Sequence, residues 1–520
     1  MNYPLQSRLI FSVQLLMKHA IFDIIFAKLC LISIALGALA VLGFAPFYVF
    51  PAPIIALIGL IALWAKTESA KQRFVLGFCF GLGLYGVGIY WIYISLHTFG
   101  GMPWWFAGFC TFCLCAFMAL FPALVGLLTT KFAKLMLSAP ILWGLSDWVR
   151  SWIFTGFPWL TMGYSQVPHS PLAGYMPLVG VYGVSVITVL MASSIGVWLV
   201  TKNVIYRRNT IAIVTLTMVV GGVLKVVEWT TPIGKPISVA LLQGNIAQDE
   251  KWSPAAAQAT IDQYMQMIIA SKAQLIVTPE TALPVISSQI DPSIKDALSA
   301  QAKQNSGDIL VGVVQVNSSV TQPDYDRYYN SAISFGSAEP QYYSKNHLVP
   351  FGEFIPLKQV FGWIYRDYLN IPLSDLSRGG TKQQPMNLAG QKIAVNICYE
   401  DVFGEEIIRQ LPAATMLVNI TNDAWYGQSF AADQHLQFSQ ARALETGRFM
   451  LRATNTGATA AIDQHGFVLA HVPHFTKTTL NIMAQGYAGS TPYVRWGNWP
   501  FIVFCFSVLA YLLWRKRPLR

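Results

Sequence analysis

Charged side chains are scarce in this sequence, since Asp, Glu, Lys and Arg together make up only 12% of its 520 residues. Soluble globular domains carry about 25% charged residues. The chain is also 54% hydrophobic, with a mean hydropathy of +0.45, which is typical of a membrane protein. This composition excludes an ordinary soluble protein and predicts several membrane-spanning helices.

The few charges are distributed unevenly along the chain. Residues 228–497 contain 18 Lys and Arg against 22 Asp and Glu, whereas the rest of the chain contains 17 against 3. The basic excess behind the net charge of +10 therefore lies in the apolar regions, where Lys and Arg orient membrane segments. We therefore expect a lipid bilayer, and no nucleic acid, as the partner of this charge.

Cysteine is rare as well, and six of the seven cysteines lie in apolar stretches, where they act as small hydrophobic residues. The run CTFCLC (110–115) has no neighbouring His or acidic residue, so we expect no metal site there. The exception is Cys398, which ends the apolar run KIAVNI and precedes Tyr399 and Glu400. A lone cysteine at a strand end is either a small buried residue or a nucleophile, and its acidic surroundings favour the nucleophile.

Eight apolar runs approach the length of about 20 residues that a helix needs to cross a bilayer. Loops after the second, fourth and sixth runs carry Lys or Arg, as does the C-terminal tail, whereas loops after the first, third and fifth carry none. This alternation predicts cytoplasmic termini and a segment at 228–497 on the outer side of the membrane, which in a bacterium is the periplasmic side. The fifth run contains Asp147 and Arg150, which we expect to pair inside the bundle. The predicted spans are 29–47, 48–65, 74–96, 104–128, 135–154, 175–200, 210–227 and 499–514.

The predicted domain organisation follows from these spans. An N-terminal extension covers 1–28, seven spans lie within 29–227, a soluble domain covers 228–497, and the eighth span with a basic tail covers 498–520. In the soluble domain, strand candidates such as LIVTP and MLVNI are continuously apolar, which indicates strands that are covered on both faces. This pattern predicts a layered α/β domain.

Several predicted strands of the soluble domain end in reactive side chains, and sites gather at such strand ends. Glu280 follows LIVTP, Cys398 follows KIAVNI, and the intervening loop SKNHLVPFGE adds Lys345 and Glu353. Taken singly, Glu280 could cap a turn and Lys345 could be a solvated surface residue. Taken together, they supply a base, a cation and a nucleophile. We expect His347, in the same loop, to be structural.

The segment PLKQVFGWIYRDYLNIPL (356–373) is unusually rich in large apolar residues for a soluble domain. It is either a piece of the core or an arm that rests on the bilayer. Trp425, in the run NDAWYG, is expected near the mouth of the site. We predict that this arm and Trp425 form a lid.

The motifs TPETALP, SKNHLVPFGEFIP and NICYEDVFG resemble the Glu–Lys–Cys triad of the nitrilase superfamily. With the membrane spans and the runs FGGMP, GFPWLTMGYSQ, LLQGNIAQDEKW and ITNDAWYG, the chain resembles apolipoprotein N-acyltransferases beyond about residue 28. This resemblance implies an eight-helix membrane bundle that carries an α/β nitrilase-like domain, an α-β-β-α sandwich.

The resemblance also implies roles for individual residues. Glu280 matches the general base, Lys345 the cation that stabilises the intermediate, and Cys398 the nucleophile, while Glu353 supports the lysine. Further positions expected to support the site or to contact substrate are Tyr399, Glu400, Trp252 and Asn330.

The implied reaction transfers an acyl chain from a phospholipid, usually phosphatidylethanolamine, to a diacylglyceryl-cysteine apolipoprotein. The resemblance implies no cofactor, a monomer, and a place in the bacterial inner membrane. Two alternatives stay open: a membrane-tethered amidase or hydrolase that uses water as acceptor, and a non-catalytic scaffold. The complete triad argues against the scaffold.

Overall fold

A computed structural model of the chain describes residues 24–132, 134–248, 254–317, 327–336, 339–359, 362–363 and 375–515. Trp252, residues 1–23 and 516–520, and most of the predicted arm at 356–373 lie outside this part of the chain.

The described chain forms an apolar helical bundle before and after a domain built on two sheets. Its helices are α1 (Ile24–Gly43), α2 (Pro51–Ala65), α3 (Ala70–Gly88), α4 (Trp91–Phe99), α5 (Trp104–Thr129), α6 (Leu135–Arg150), α7 (Met176–Thr201), α8 (Val204–Leu224), α9 (Pro254–Ala270), α10 (Pro292–Gln304), α11 (Gly404–Ile407), α12 (Ala431–Thr446), α13 (Pro492–Trp496) and α14 (Trp499–Trp514). Each predicted span overlaps at least one of the helices α1–α8 and α14, and the span 74–96 overlaps both α3 and α4.

Length and apolar composition identify fewer crossings than the eight that the sequence predicts. Among the described helices, α1, α5, α7 and α8 are long and apolar enough to cross a bilayer. The pair α3 and α4 adds a fifth crossing if the 51° bend between them lies within one span. Helices α2, α6 and α14 have only 15, 16 and 16 residues, so their crossing remains a prediction.

The charged pair predicted inside the fifth span is confirmed. Arg150 Nη2 lies 2.9 Å from Asp147 Oδ1, and both side chains are buried within the bundle. Arg150 also donates to Thr161 Oγ1 (2.9 Å) and to the carbonyl of Phe157 (3.0 Å). The pair therefore fixes the loop that follows α6, and this loop reaches the soluble domain.

The soluble domain contains two six-stranded sheets, with the orders β12-β1-β2-β3-β4-β5 and β11-β10-β9-β8-β7-β6. The strands are β1 (Thr230–Gln243), β2 (Leu275–Val277), β3 (Asp308–Asn317), β4 (Arg327–Phe335), β5 (Tyr342–Ser344), β6 (Met386–Leu388), β7 (Gln391–Ile397), β8 (Met416–Thr421), β9 (Phe449–Thr454), β10 (Ala460–Ile462), β11 (Val468–His471) and β12 (Thr478–Gly489). Three neighbouring strands are parallel in each sheet, β1–β2–β3 in the first and β7–β8–β9 in the second. Within each sheet, the carboxyl ends of these strands therefore lie at one edge.

The two sheets pack face to face, and helices cover their outer faces. Val239 and Leu275 of the first sheet share a core with Val395 and Val418 of the second. Helices α9 and α10 pack on the outer face of the first sheet, and α11 and α12 on that of the second. This arrangement confirms the predicted α-β-β-α sandwich, because both faces of the central strands are buried.

Helix α12 joins the sandwich to the bundle through three buried glutamines. Gln434 Oε1 accepts hydrogen bonds from the indole N–H groups of Trp91 (3.2 Å) and Trp159 (2.6 Å). The other two residues make the contacts Ala45 N to Gln437 Oε1 (3.1 Å), Gln437 Nε2 to the Val167 carbonyl (3.1 Å) and Tyr48 Oη to Gln440 Oε1 (2.9 Å). The sandwich is thus fixed on the bundle by directional bonds.

Candidate active site

Cys398 lies where β7 ends and a short 3-10 turn, Cys398–Val402, begins. This segment is called the nucleophile turn below, after the role predicted for Cys398. Its φ of +52° is in the left-handed region, which is strained for a residue with a Cβ atom. The Cys398 carbonyl accepts a hydrogen bond from Asn419 Nδ2 (3.1 Å), and the residue is 7% exposed. A strained turn that neighbouring bonds hold in place is typical of a functional site.

Lys345 is buried between two carboxylates, and the three residues Glu280, Lys345 and Glu353 are called the reaction cluster below. Lys345 Nζ lies 2.9 Å from Glu353 Oε1 and 3.4 Å from Glu280 Oε1. Asn330 Nδ2 donates to the same two oxygens at 2.9 and 2.6 Å. The backbone N–H of Asn422, just after β8, donates to Glu280 Oε2 (2.9 Å). The structure therefore brings together Glu280, Lys345, Glu353 and Asn330, as the sequence predicts.

The electrostatics of the site keep the lysine charged and the thiol protonated at rest. Burial raises the pKa of the Cys398 thiol, the charge of Glu280 raises it further, and the Lys345 ammonium lowers it in part. Burial lowers the pKa of Lys345, but Glu353 and Glu280 raise it well above its ordinary value. A protonated thiol becomes a nucleophile only where a base takes its proton, and Glu280 is a carboxylate whose charge acts on this thiol.

Glu400 holds the Lys345 loop against the nucleophile turn. Its Oε1 accepts from the backbone N–H of Asn346 (2.7 Å), and its Oε2 from the N–H of Ile397 (2.7 Å) and from Tyr343 Oη (3.0 Å). Burial raises the pKa of Glu400 to about 7, although the two backbone N–H groups lower it. The side chain is 2% exposed, so it acts as a clamp between two loops.

Tyr399 connects the nucleophile turn to the loop after α6. Its hydroxyl donates to the Gly156 carbonyl (2.9 Å), and its ring stacks on Trp159 with a centroid distance of 6.3 Å. Burial raises the pKa of Tyr399 far above its ordinary value. The phenol is therefore neutral and ties the residue after Cys398 to the membrane bundle.

The predicted lid residues lie beside the bundle where the structure describes them. Trp425 lies on the turn Asp423–Tyr426, and its ring packs edge-on against Phe99 of α4 with a centroid distance of 6.4 Å. Trp363, within the predicted arm, stacks on Phe106 of α5 with a centroid distance of 6.4 Å. Both aromatic contacts join the soluble domain to the same side of the bundle.

His347 has the structural role that the sequence indicates. Its ring stacks on Phe403 with a centroid distance of 3.7 Å, and its Nε2 lies 2.9 Å from the Thr155 carbonyl. Its Nδ1 lies 3.2 Å from Glu406 Oε1. All three partners fix the loop that carries Lys345.

A second buried group of charges, which the sequence reasoning missed, lies beneath the nucleophile turn. This support cluster consists of Asp401, Asp423, His435 and Arg452, each 2% exposed or less. Arg452 lies 3.0 Å from an oxygen of each aspartate, and His435 lies 2.8 Å from the other oxygen of each. The available signal was Arg452 itself, because a charge inside the apolar strand FMLRAT needs buried partners.

The reaction cluster leaves little room for a metal, since the Lys345 ammonium occupies the space between its two carboxylates. Among the residues that the structure describes, no group of three or more His, Cys, Asp and Glu side chains could hold a metal ion. Lys345 supplies a positive charge at this position.

Two family models match the chain, one on each part of the fold. The apolipoprotein N-acyltransferase N-terminal domain matches residues 36–194, and the carbon-nitrogen hydrolase model matches residues 238–493. An apolipoprotein N-acyltransferase of Nitrosomonas europaea is 49% identical over 471 residues, which cover 90% of this chain and 93% of the relative. That of Chromobacterium violaceum is 40% identical over 489 residues, or 92% of this chain and 93% of the relative. Because these matches span both the bundle and the sandwich, this chain belongs to the apolipoprotein N-acyltransferase family.

Proposed function

We propose that this protein transfers an acyl chain from a membrane phospholipid to the α-amine of a diacylglyceryl-cysteine apolipoprotein. The observation that carries the proposal is the buried Lys345, held between Glu280 and Glu353 beside the strained turn of Cys398. Membership of the family supports it, because the relatives are named for N-acylation of apolipoprotein. Phosphatidylethanolamine is the donor that we propose.

In the first half-reaction, Cys398 becomes acylated. Glu280 takes the thiol proton as Sγ attacks the ester carbonyl of the phospholipid, and a tetrahedral oxyanion forms. Lys345 stabilises this oxyanion, which is worth several kcal/mol in a site from which water is excluded. When the intermediate collapses, the C–O ester bond breaks, the departing lysophospholipid oxygen takes the proton from Glu280, and a thioester remains on Cys398.

In the second half-reaction, the α-amine of the apolipoprotein attacks the thioester. Such an amine has an unperturbed pKa of about 7.7–8.0, so part of it is neutral at physiological pH. Glu280 accepts the proton that the amine loses, and Lys345 again stabilises the oxyanion. Collapse breaks the C–S bond, forms the amide and returns the proton to the thiolate of Cys398. Because one site serves both halves in turn, we expect ping-pong kinetics.

Water must be kept from the thioester, or acyl transfer would become hydrolysis. Two aromatic contacts, Trp425 on Phe99 and Trp363 on Phe106, support a lid between the soluble domain and the bundle. The exposed aromatic side chains at the start of α5, Trp104 (69%) and Trp105 (56%), supply an apolar surface next to this lid. We propose that acyl chains enter from the lipid on this side.

The membrane arrangement that fits this reaction has eight crossings, both termini in the cytoplasm and residues 228–497 in the periplasm. The alternation of Lys and Arg between loops supports this arrangement. We propose that the protein acts as a monomer in the bacterial inner membrane, since the reaction cluster and the nucleophile come from a single chain.

The test is to incubate the purified full-length protein with phospholipid, in the absence of acceptor, and to measure its intact mass. We expect an added acyl mass that hydroxylamine removes, and no added mass on the Cys398→Ala variant. Folded wild-type protein that gains no mass would contradict the proposal and favour a scaffold. An adduct that water discharges as fast as a diacylated lipopeptide would favour the hydrolase.

A further inference from the structure

We propose that His435 is a positioning residue of this reaction: as an imidazolium it balances the charge of Asp401 and Asp423 and braces the backbone turn that presents the Cys398 thiol. This inference rests on the proposed role of Cys398 as nucleophile. His435 does not touch the reaction cluster, and its effect passes through the turn and through the charge of Asp423.

The geometry of the ring requires a proton on each nitrogen. Nδ1 lies 2.8 Å from Asp423 Oδ1, and Nε2 lies 2.8 Å from Asp401 Oδ1 and 3.2 Å from the Cys398 carbonyl oxygen. Ionised carboxylates and carbonyls only accept hydrogen bonds, so both nitrogens must donate. A neutral imidazole donates from one nitrogen only, and it would leave a lone pair against a carboxylate in a buried place.

The charge balance of the support cluster leads to the same protonation state. Asp401 and Asp423 carry two negative charges, and Arg452 supplies one positive charge shared between them. Without a charge on His435, one unit of negative charge would remain in a site that is 2% exposed or less. The ring's other neighbours, Trp159 and Phe438, are uncharged aromatics.

The electrostatic effect agrees with this geometry. Burial and the Arg452 charge lower the pKa of His435, but Asp401 and Asp423 raise it to about 9 overall. Asp423 in turn contributes to the raised pKa of the Cys398 thiol. Burial raises the pKa of Asp423, but His435 and Arg452 lower it to about 2 overall. Loss of the imidazolium would therefore leave Asp423 less neutralised and make the thiolate of Cys398 harder to form.

The mechanical effect acts on the strained turn. Cys398 holds a φ of +52°, and its carbonyl is directed by Asn419 Nδ2 on one side and by His435 on the other. Strain of this kind persists only where several contacts determine the conformation. Removing one of these two donors would let the turn relax and move Sγ away from the reaction cluster.

The experiment measures the rate at which iodoacetamide alkylates Cys398 in the full-length protein between pH 6 and 8, where His435 is protonated. Mass spectrometry of the Cys398 peptide separates this thiol from the six others of the chain. Throughout this window the thiol is mostly protonated, so an upward shift of about one unit in its pKa for His435→Gln would lower the alkylation rate about tenfold at each pH. We expect the KM for phospholipid to stay unchanged while kcat falls.

Two further variants separate charge from packing. Ser439→Ala removes a neutral donor to Asp401 without a change of charge, and we expect it to leave the alkylation profile in place. His435→Gln combined with Asp401→Asn restores the charge balance, so we expect its profile to return toward that of the wild type. If His435→Gln does not fold, the double variant must fold and show this profile.

Each remaining outcome overturns the inference. An unshifted profile for His435→Gln, an equal shift for Ser439→Ala, or no recovery in the double variant would each contradict the role of His435. The proposed function fails separately, if the Cys398→Ala variant keeps acyl transfer. Alkylation does not require transfer, so the two failures are distinguishable.

Discussion

The reaction cluster and the support cluster each contain two carboxylates and lie next to Cys398, and their side chains are buried apart from Glu353, which is partly buried. In the reaction cluster, Glu280 and Glu353 face a single cation, Lys345. In the support cluster, Asp401 and Asp423 face two cations, Arg452 and His435. The first cluster carries one excess negative charge when all its groups are ionised, and the second carries none.

In the proposed reaction, this difference in net charge separates a carboxylate that accepts a proton from carboxylates that maintain the geometry of the turn. In the proposed reaction Glu280 takes up a proton, and Lys345 then stays paired with Glu353. A carboxylate that is fully neutralised by two cations loses ion pairs when it is protonated, so it keeps its charge and its geometry. Charge balance, more than burial or residue type, distinguishes the two clusters.

The largest expected effect comes from removing the proposed base of the reaction cluster, Glu280. Glu280→Gln keeps the size and one acceptor of the side chain but cannot take the thiol proton. We expect the rate of acylation by phospholipid to fall about 10²–10⁴-fold while the fold is retained. The measurement is the single-turnover rate of lysophospholipid release. The exposed Glu405→Gln serves as control, and a loss below threefold for Glu280→Gln would refute the assignment.

The next effect comes from breaking the balance of the support cluster. Arg452→Met leaves two aspartates with one cation, and we expect the free energy of unfolding to fall by about 3–5 kcal/mol. Chemical denaturation in detergent measures this loss. Arg409→Met is the matched control, because Arg409 pairs with Glu406 at 3.7 Å on a side chain that is 41% exposed. We expect about 0–1 kcal/mol there, and equal losses would contradict the comparison.

A pH titration tests the same balance without mutation. Because the pKa of His435 rises from 6.5 to about 9 on folding, its contribution to stability is fully present below pH 6.5. It is lost as pH rises toward 9, and amounts to about 3 kcal/mol at 1.36 kcal/mol per unit. We expect the unfolding free energy of the wild type to fall in this window and that of His435→Gln to change less. Parallel curves would show that His435 is neutral in the fold.

The smallest effect concerns the link between the nucleophile turn and the bundle. Tyr399→Phe removes the hydrogen bond to the Gly156 carbonyl, and we expect a loss of about 1 kcal/mol in stability. The same substitution at the exposed Tyr342 should be neutral within error. Thermal unfolding of both variants measures the difference, and an equal shift in midpoint would argue that the link is weak.

Much of the fold and the reaction cluster could be predicted from local sequence signals. Continuous apolar runs predicted strands covered on both faces, and the sandwich buries LIVTP and MLVNI in this way. Strand-end positions predicted that Glu280 and Cys398 would belong to the site, although they follow β2 and β7, which belong to different sheets. The motif around Lys345 and Glu353 then supplied the cation and its partner.

The support cluster could not be predicted in the same way. Its members come from a turn, a strand end, helix α12 and strand β9, and their meeting depends on long-range packing. Glu400 and Tyr399 were expected to support the site or to contact substrate, and the structure shows their bonds to Tyr343 and Gly156. The spacing of a motif shows that residues lie close together, but it does not show which atoms they bind.

The central claim is that Cys398 carries the acyl chain as a covalent intermediate. Its most direct test is the burst of lysophospholipid released when phospholipid is added to the protein without an acceptor amine. We predict a burst of about one lysophospholipid per folded protein, followed by a slow phase, because a ping-pong enzyme stops at the acyl-enzyme. Cys398→Ala should show no burst. A full burst from Cys398→Ala, or steady release by the wild type without a burst, would contradict the account.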